Sequence, residues 1–371
     1  MSEALDLERA RLLAELPPSA WMTHEVEDPD NAVAVLAKKG GTSKTSFAAA
    51  ALDACARFGL NALGIDVDPQ GNLSIATDSE VQLVPSGKKA LGNKEILLPD
   101  RDTIVEVLEA DSDGVVDEGF QMVPWEYNAE ADFTRGGPLI KGKLGKLGIL
   151  PAHEALEDIA RNWKLGDLER LNRSLNAPSV PGGLIPRRRW DLVIIDLLPG
   201  GSDIGRMGLK AARRCLIVTR AEPFGMNAIS KTVKFAWDVR DNWNHPNLNV
   251  AGLVLSAYKP RNKIVQTQLK DLRVAQEGNV QEVQVDLWKP RIPDRTIFPT
   301  AQDYRAPISA FLSERGQRKA ATEVCQVAEA IVLKLLHQMA HPDATELQER
   351  WERAWPEISP WATGDLPEVE L

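Results

Sequence analysis

Short apolar runs recur along the chain, and helical periodicity fills most of the gaps between them. The runs are Val33–Ala37, Ala62–Val67, Leu147–Leu150, Leu192–Ile195, Leu216–Thr219 and Val250–Leu255. Each is β-branched or leucine-rich and apolar throughout, the pattern of strands buried on both faces. Apolar spacing predicts helices over Ser46–Phe58 and Ala228–Val239. Strands of this kind alternating with helices predict an α/β fold: a single doubly wound, mostly parallel sheet flanked by helices. Residues 5–16 predict a short amphipathic helix stopped by Pro17 and Pro18, and residues 17–31 a linker. Residues 78–101 and 110–145 lack clear periodicity and predict long surface connections or an insertion. Residues 356–371 predict a mostly disordered tail.

Composition narrows the class. Hydrophobic residues at 43% and charged residues at 26% exclude a disordered or fibrous chain. No run approaches the ~18 apolar residues of a membrane span. The N-terminus is acidic and has no apolar centre, so no signal peptide is expected. Cys55, Cys215 and Cys325 are isolated and odd in number, which excludes a disulfide framework or a CxxC metal site and fits buried thiols in a reducing cytoplasm. The formal net charge of −9 is unevenly spread: residues 1–31 and 341–371 each carry −6, which leaves +3 on residues 32–340. The expected organisation is an acidic helix and linker (1–31), a main domain (32–340, with 78–145 as the connections or insertion) and an acidic extension (341–371). A mildly basic body between acidic ends keeps nucleic acid among the candidate partners.

The first apolar run leads directly into Lys38, Lys39, Gly40, Gly41, Thr42, Ser43, Lys44, Thr45 and Ser46, followed by an alanine-rich helix. That is the strand–loop–helix setting of a phosphate loop, in which backbone N–H groups at a helix N-terminus wrap phosphate oxygens. Lys44 then faces the β- and γ-phosphates and the Thr45 hydroxyl faces Mg²⁺. The common G-x-x-x-x-G-K-[ST] pattern is not met, because Lys38 and Ser43 stand at its two glycines. A second station closes the next run: Asp66, Val67, Asp68, Pro69, Gln70, Gly71 and Asn72. A third is Leu192–Ile195 followed by Asp196, a Walker B strand whose carboxylate holds a water on Mg²⁺.

These stations, in this order, resemble the ParA/MinD family of deviant Walker A ATPases. The loop is similar to that family's KGGVGKTT, with Ser43 in place of a glycine. The second station matches D-x-D-P-Q-G-N, and the third is similar to YDYVIIDCPP with a different following loop, Leu197 to Gly201. Leu150-Pro151-Ala152 resembles an IPA segment, and Glu222-Pro223-Phe224 a PEPFA segment. Ile292-Pro293-Asp294-Arg295, followed by Ala306-Pro307-Ile308, resembles an IPRN…GKPI stretch. The resemblance covers roughly residues 32–335. It implies ATP and Mg²⁺ as cofactors. Residues Lys39, Gly40, Gly41, Thr42, Ser43, Lys44, Thr45 and Ser46 would hold the phosphates, with Pro293 and Asp294 beside the adenine. Thr45, Asp66 and Asp196 would serve the metal, partly through water. Lys39, Lys44 and Asp68 are the implied catalytic set: Lys39 crosses a homodimer interface to the partner's nucleotide, and Asp68 orients the attacking water.

The branches of the family differ in what surrounds this engine. Iron–sulfur members need paired interface cysteines, and tyrosine-kinase-like members a tyrosine-rich tail; only Tyr127, Tyr258 and Tyr304 are present. MinD-like members need a basic amphipathic C-terminal helix. Leu347, Trp351 and Trp355 do share a helical face, but acidic residues flank them, so core or partner packing is expected and no membrane contact. Arg315, Arg318 and Lys319 resemble the DNA-contacting segment of the ParA/Soj-type partition branch, with Lys289 and Arg291 as further candidates, then Lys259, Arg261 and Lys263. Arg187–Arg189 reads as a loop face without DNA. Thirty-odd residues before the loop are too few for a helix-turn-helix domain. The resemblance thus implies a cytoplasmic, nucleoid-associated ATPase. It would form an ATP-dependent sandwich dimer, bind DNA non-specifically and segregate plasmid or chromosomal DNA. A ParB-like centromere-binding partner would stimulate hydrolysis. The alternative is the same engine positioning a protein cargo, such as a microcompartment, flagellar or chemoreceptor assembly.

Overall fold

Five consecutive apolar residues form β1 (Ala32–Leu36), and all five are buried. Its side chains alternate between two cores, as a strand's period of two requires. Val33 and Val35 join one apolar cluster; Ala32, Ala34 and Leu36 join the other. A strand with both faces covered has no polar face, which is why the run is uniformly apolar.

The computed structural model describes residues 31–89, 95–109, 120–125, 144–161, 168–176, 190–220, 225–259, 262–263, 266–267, 269–270, 285–355 and 357–365. The expected helix at 5–16, Arg187–Arg189, Glu222–Phe224, Arg261 and the last six residues lie outside them. After β1 come α1 (Lys44–Arg57), β2 (Ala62–Val67), α2 (Asn72–Ala76), the strands β3 (Leu83–Lys89) and β4 (Glu95–Pro99), α3 (Ile104–Glu109), β5 (Gln121–Met122) and β6 (Leu147–Leu150). Then follow α4 (Leu156–Arg161), α5 (Arg170–Asn176), β7 (Leu192–Leu197), α6 (Asp203–Lys210), β8 (Arg214–Arg220), α7 (Gly225–Asn242) and β9 (Asn249–Tyr258). The chain ends with β10 (Leu287–Pro293), α8 (Ile297–Asp303), a 3₁₀ segment at Ile308–Ser313, α9 (Arg318–Gln338), α10 (Ala344–Ala354) and α11 (Pro360–Thr363).

Eight strands form one sheet in the order β10-β9-β8-β1-β7-β2-β6-β5. Every pairing is parallel except β5 on β6. Helices α1, α9 and α10 cover one face, and α3 to α7 the other. This is the doubly wound α/β architecture that the apolar runs predict. The path runs outward from β1 on one side, returns to β7, and leaves through β8 on the other side. The carboxyl ends of β1, β7 and β2 therefore border the crevice where open α/β sheets bind ligands.

Three elements differ from the expectation. Residues 83–99 contain a two-stranded antiparallel pair, β3 with β4, rather than a plain connection. β10 was not legible as a strand: Lys289, Pro290 and Pro293 interrupt its apolar pattern, and prolines are tolerated there because it is the sheet edge. The C-terminal segment packs rather than trailing off. Leu347, Trp351 and Trp355 are core residues, as their shared helical face predicts, and the departure lies beyond them, at 357–365. Both indole N–H groups donate to Glu329 on α9, at 2.8 and 2.7 Å, and Arg57 of α1 pairs with the same carboxylate at 3.2 Å. Gln326 then holds the chain beyond by bonding Glu357 O and Ser359 N, each at 2.8 Å. Trp361 stands edge-on to Tyr258 with Arg295 over its ring. Gln326 on the backbone at 357 and 359, and Trp361 between Tyr258 and Arg295, give residues 357–365 a seat that their composition hides.

The turn after α7 supplies a pH-sensitive joint. His245 Nε2 lies 2.7 Å from Ala212 O at the entrance to β8. Burial, aided by the Lys210 and Arg213 charges and opposed by the Ala212 carbonyl, holds its imidazole below the usual 6.5. The folded state thus takes up this proton less readily than the unfolded chain, and stability falls as pH drops through that value. Thermal melts at pH 7.5 and 5.5 are expected to show a smaller acid-induced drop in His245→Gln than in the parent.

Candidate functional site

The chain leaves β1 through Ala37 and reverses within six residues to start α1. Two residues make the reversal with left-handed backbone, Gly41 at φ 71° and Ser43 at φ 61°. The second stands where the resembled loop carries glycine; a side chain in this conformation costs about 1–2 kcal/mol. Neighbouring strand ends lace the loop in place. Gly200 N–H donates to Ala37 O at 3.0 Å, Arg220 Nη1 to Gly41 O at 3.1 Å, and Ser256 Oγ to Thr42 O at 2.5 Å. These three donors come from the ends of β7, β8 and β9, and no motif flagged Arg220 or Ser256.

Lys44 and Thr45 begin α1, and both side chains meet Asp196 on β7. The Lys44 ammonium pairs with Asp196 Oδ1, and Thr45 Oγ1 donates to Oδ2 at 2.7 Å. Asp196 is fully buried and lies opposite Asp66 in the β2–β7 register. Burial first, and then the neighbouring Asp196 charge, push the Asp66 carboxyl up to about 7. Asp66 accepts from Ser74 N at 2.9 Å, Ser74 Oγ at 2.8 Å and Asp68 N at 3.1 Å. Its oxygens therefore fix α2 and the turn before it, and Asp66 does not line the cavity.

Asp68 does line the cavity. Its carboxylate accepts Gln70 N–H at 3.0 Å; burial raises its pKa, while that bond and the Lys44 charge pull the other way. The following turn needs glycine: Gly71 has φ 61°, and a Cβ there would meet Ala152 O at 3.0 Å. Ala152 N–H also donates to Ser74 Oγ at 3.1 Å. The Leu150-Pro151-Ala152 segment thus braces the Asp68 turn from the adjacent strand.

The cavity holds about 280 Å³ and is walled by residues 39–46 and Asp68, with Trp125, Phe298, Ala301, Gln302, Pro307 and Ile308 among the remainder. Lys39 through Ser46 all line it, with Lys39 exposed at the wall. Pro293 and Asp294 are not: neither lines the cavity, and Asp294 pairs with Lys259 at 2.8 Å. The wall on that side is built a turn later in the chain by α8. Sequence reasoning passed over Trp125 and Phe298, because lone aromatics outside a motif give no signal.

Of the basic candidates, Arg315, Arg318 and Lys319 are exposed around the start of α9, and Lys289 is exposed on β10. Arg291 is not available for a surface partner. It is 8% exposed, its Nη1 donates to Lys289 O and Pro290 O, and its guanidinium lies over Tyr258. Cys55, Cys215 and Cys325 are buried, and burial pushes the Cys215 thiol up to about 12.

Chemically, the loop offers backbone donors and a buried lysine to an anion. The Thr45 hydroxyl beside the Asp196 carboxylate is a hard-oxygen pair suited to Mg²⁺ that keeps most of its own water and phosphate ligands. Among the described residues no group of three or more His, Cys, Asp or Glu could hold a metal by itself, and no helix is long and apolar enough to cross a membrane.

Comparison with known proteins finds relatives of this fold. The chromosome partitioning protein ParA of Caulobacter vibrioides is 25% identical over 246 residues, which cover 66% of this chain and 76% of that protein. The fold is similar to a McdA–ATP complex from Cyanothece (TM-score 0.55, 16% identity, 82% of this chain and 97% of the other). It is also similar to the septum site-determining protein MinD of Pyrococcus horikoshii complexed with Mg-ADP (TM-score 0.51, 17% identity, 80% and 94%). The family model of the CobQ/CobB/MinD/ParA nucleotide-binding domain matches residues 33–308, and the chain belongs to that family.

Proposed function

We propose that the chain is a Mg²⁺-dependent ATPase of the ParA type that joins into a homodimer on ATP and moves DNA. One observation carries the enzymatic part: Lys44 and Thr45 converge on Asp196 while Asp68 faces the same cavity. Loop N–H groups and Lys44 bind the phosphates. Thr45 and Asp196 would hold the Mg²⁺. When bound, Mg²⁺ neutralises charge on the β- and γ-phosphate oxygens. Asp68 orients the attacking water and accepts its proton, and its raised pKa suits that task. Lys39 is exposed on the cavity wall, where it can serve the nucleotide of a second copy.

The DNA part rests on the exposed Arg315, Arg318 and Lys319 and on the likeness to a chromosome partitioning protein. Non-specific binding needs little more than phosphate neutralisation. A ParB-like activator would set the timing of release, in a cytoplasmic, nucleoid-associated cycle. Use of the same engine on a protein cargo is the second reading, and it differs in needing no DNA.

The enzymatic part is tested by phosphate release and solution mass together. Turnover of ATP that stops with EDTA, and a mass that doubles with ATP but not ADP, are expected. Turnover indifferent to EDTA, with a constant mass, contradicts the proposal.

A further inference from the structure

The phosphate loop is held in two unequal halves. Residues 42–45 are fastened by buried groups: Ser256 Oγ donates to Thr42 O at 2.5 Å, and Lys44 and Thr45 both meet Asp196. Ser256 and Asp196 are each fully buried. Residues 38–41 are held differently. All four are exposed, and among the described residues one side chain bonds to them: Arg220 Nη1 donates to Gly41 O at 3.1 Å. On the other side the chain is pinned at Ala37, whose carbonyl accepts Gly200 N–H at 3.0 Å. The stretch between these two pins carries Lys39.

Arg220 ends β8, and in the β8–β9 register it stands opposite Ser256. Neighbouring residues of adjacent strands thus grip consecutive carbonyls of the loop, Gly41 from Arg220 and Thr42 from Ser256. The Arg220 grip has more freedom to remove. Gly40 and Gly41 have no side chain to restrict their backbone, and a Cβ built on either would meet nothing within 4 Å, so packing does not hold them. Lys39, Gly40 and Gly41 all line the cavity, whereas Arg220 does not. Arg220 therefore bears on the cavity through the segment that it holds.

We infer that Arg220 is the positioning residue for Lys39: its guanidinium fixes the Gly41 carbonyl, and with it the turn that sets where the Lys39 ammonium stands. The inference rests on the proposed reading of Lys39 as part of an ATP-hydrolysing site. A cation stabilises developing phosphoryl charge only when it is held where that charge appears, so a Lys39 on a loose turn loses most of its value. Residues 42–45 keep their own buried bonds. Phosphate binding therefore does not depend on Arg220, whereas cleavage does, through Lys39.

The test compares the parent, Arg220→Met, Arg220→Lys, Lys39→Ala and the double variant Lys39→Ala/Arg220→Met, all as the full chain. Mg-ADP affinity is read by calorimetry, and ATP cleavage by single-turnover phosphate release, which resolves slow rates. Arg220→Met keeps a long side chain and removes its donors. It is expected to leave Mg-ADP affinity within about twofold of the parent and to slow cleavage about tenfold, the scale of one lost hydrogen bond. Arg220→Lys restores a donor and is expected to recover most of that loss. In the Lys39→Ala background the methionine is expected to change nothing further, because the group that Arg220 positions is gone. A second tenfold fall in that background overturns the inference, since Arg220 then acts apart from Lys39. Equal loss of Mg-ADP binding and of cleavage in Arg220→Met also overturns it, because it marks Arg220 as a support of the whole loop. Parental cleavage in Arg220→Met overturns it and leaves the nucleotide site standing. Parental cleavage in Lys39→Ala removes the role of Lys39 and the inference with it. A parent that binds no Mg-ADP overturns the reading of the cavity as well.

Discussion

An Asp68→Ala variant is expected to bind Mg-ATP with near-parental affinity and to hydrolyse it roughly 10²–10⁴-fold more slowly, the usual contribution of one positioned base. Asp68 lines the cavity, its carboxylate accepts Gln70 N–H, and its backbone bonds Asp66 and Gly71, all within its own turn. Loss of turnover with retained binding is therefore the signature to look for. ATP titration and phosphate release on one preparation separate the two. Parental turnover in the variant removes Asp68 from the mechanism, whereas loss of binding makes it part of the cradle.

The second large effect is on DNA. Replacing Arg315, Arg318 and Lys319 together with alanine is expected to lower duplex affinity roughly a hundredfold at moderate salt. The log–log salt slope should fall by about 2.7, since each phosphate contact contributes about 0.9. ATP turnover without DNA is expected to be unchanged, because none of the three lines the cavity. All three are exposed where α9 begins, so their removal leaves the core intact. An unchanged salt slope would move the DNA surface elsewhere on the body, and Lys289 is then the first residue to examine.

The sheet was legible because its strands are covered on both faces and so written as unbroken apolar runs. The phosphate loop and the two aspartate stations were legible because each places charge at the end of such a run. Three features were hidden for physical reasons. β10 is an edge strand, where prolines and lysine are permitted and the apolar signal thins. The face of α10 was legible from Leu347, Trp351 and Trp355, but α11 was not: it sits in a short, proline-rich acidic stretch and packs through Trp361, whose partners Tyr258 and Arg295 are distant in the chain. The cavity's uncharged wall combines Trp125 and α8, which are far apart in the chain and meet only through the fold. Arg291 shows the opposite error. A basic residue beside Lys289 reads as surface charge, but its guanidinium is turned onto backbone carbonyls and Tyr258.

In the proposed cycle, ATP controls attachment to DNA. The most direct test is binding of a non-specific duplex with ATP, ADP or no nucleotide across a salt series. Binding with ATP alone, weakening steadily as salt rises, is expected. An ATP-dependent dimer that ignores DNA even at low salt would contradict it and favour a protein cargo.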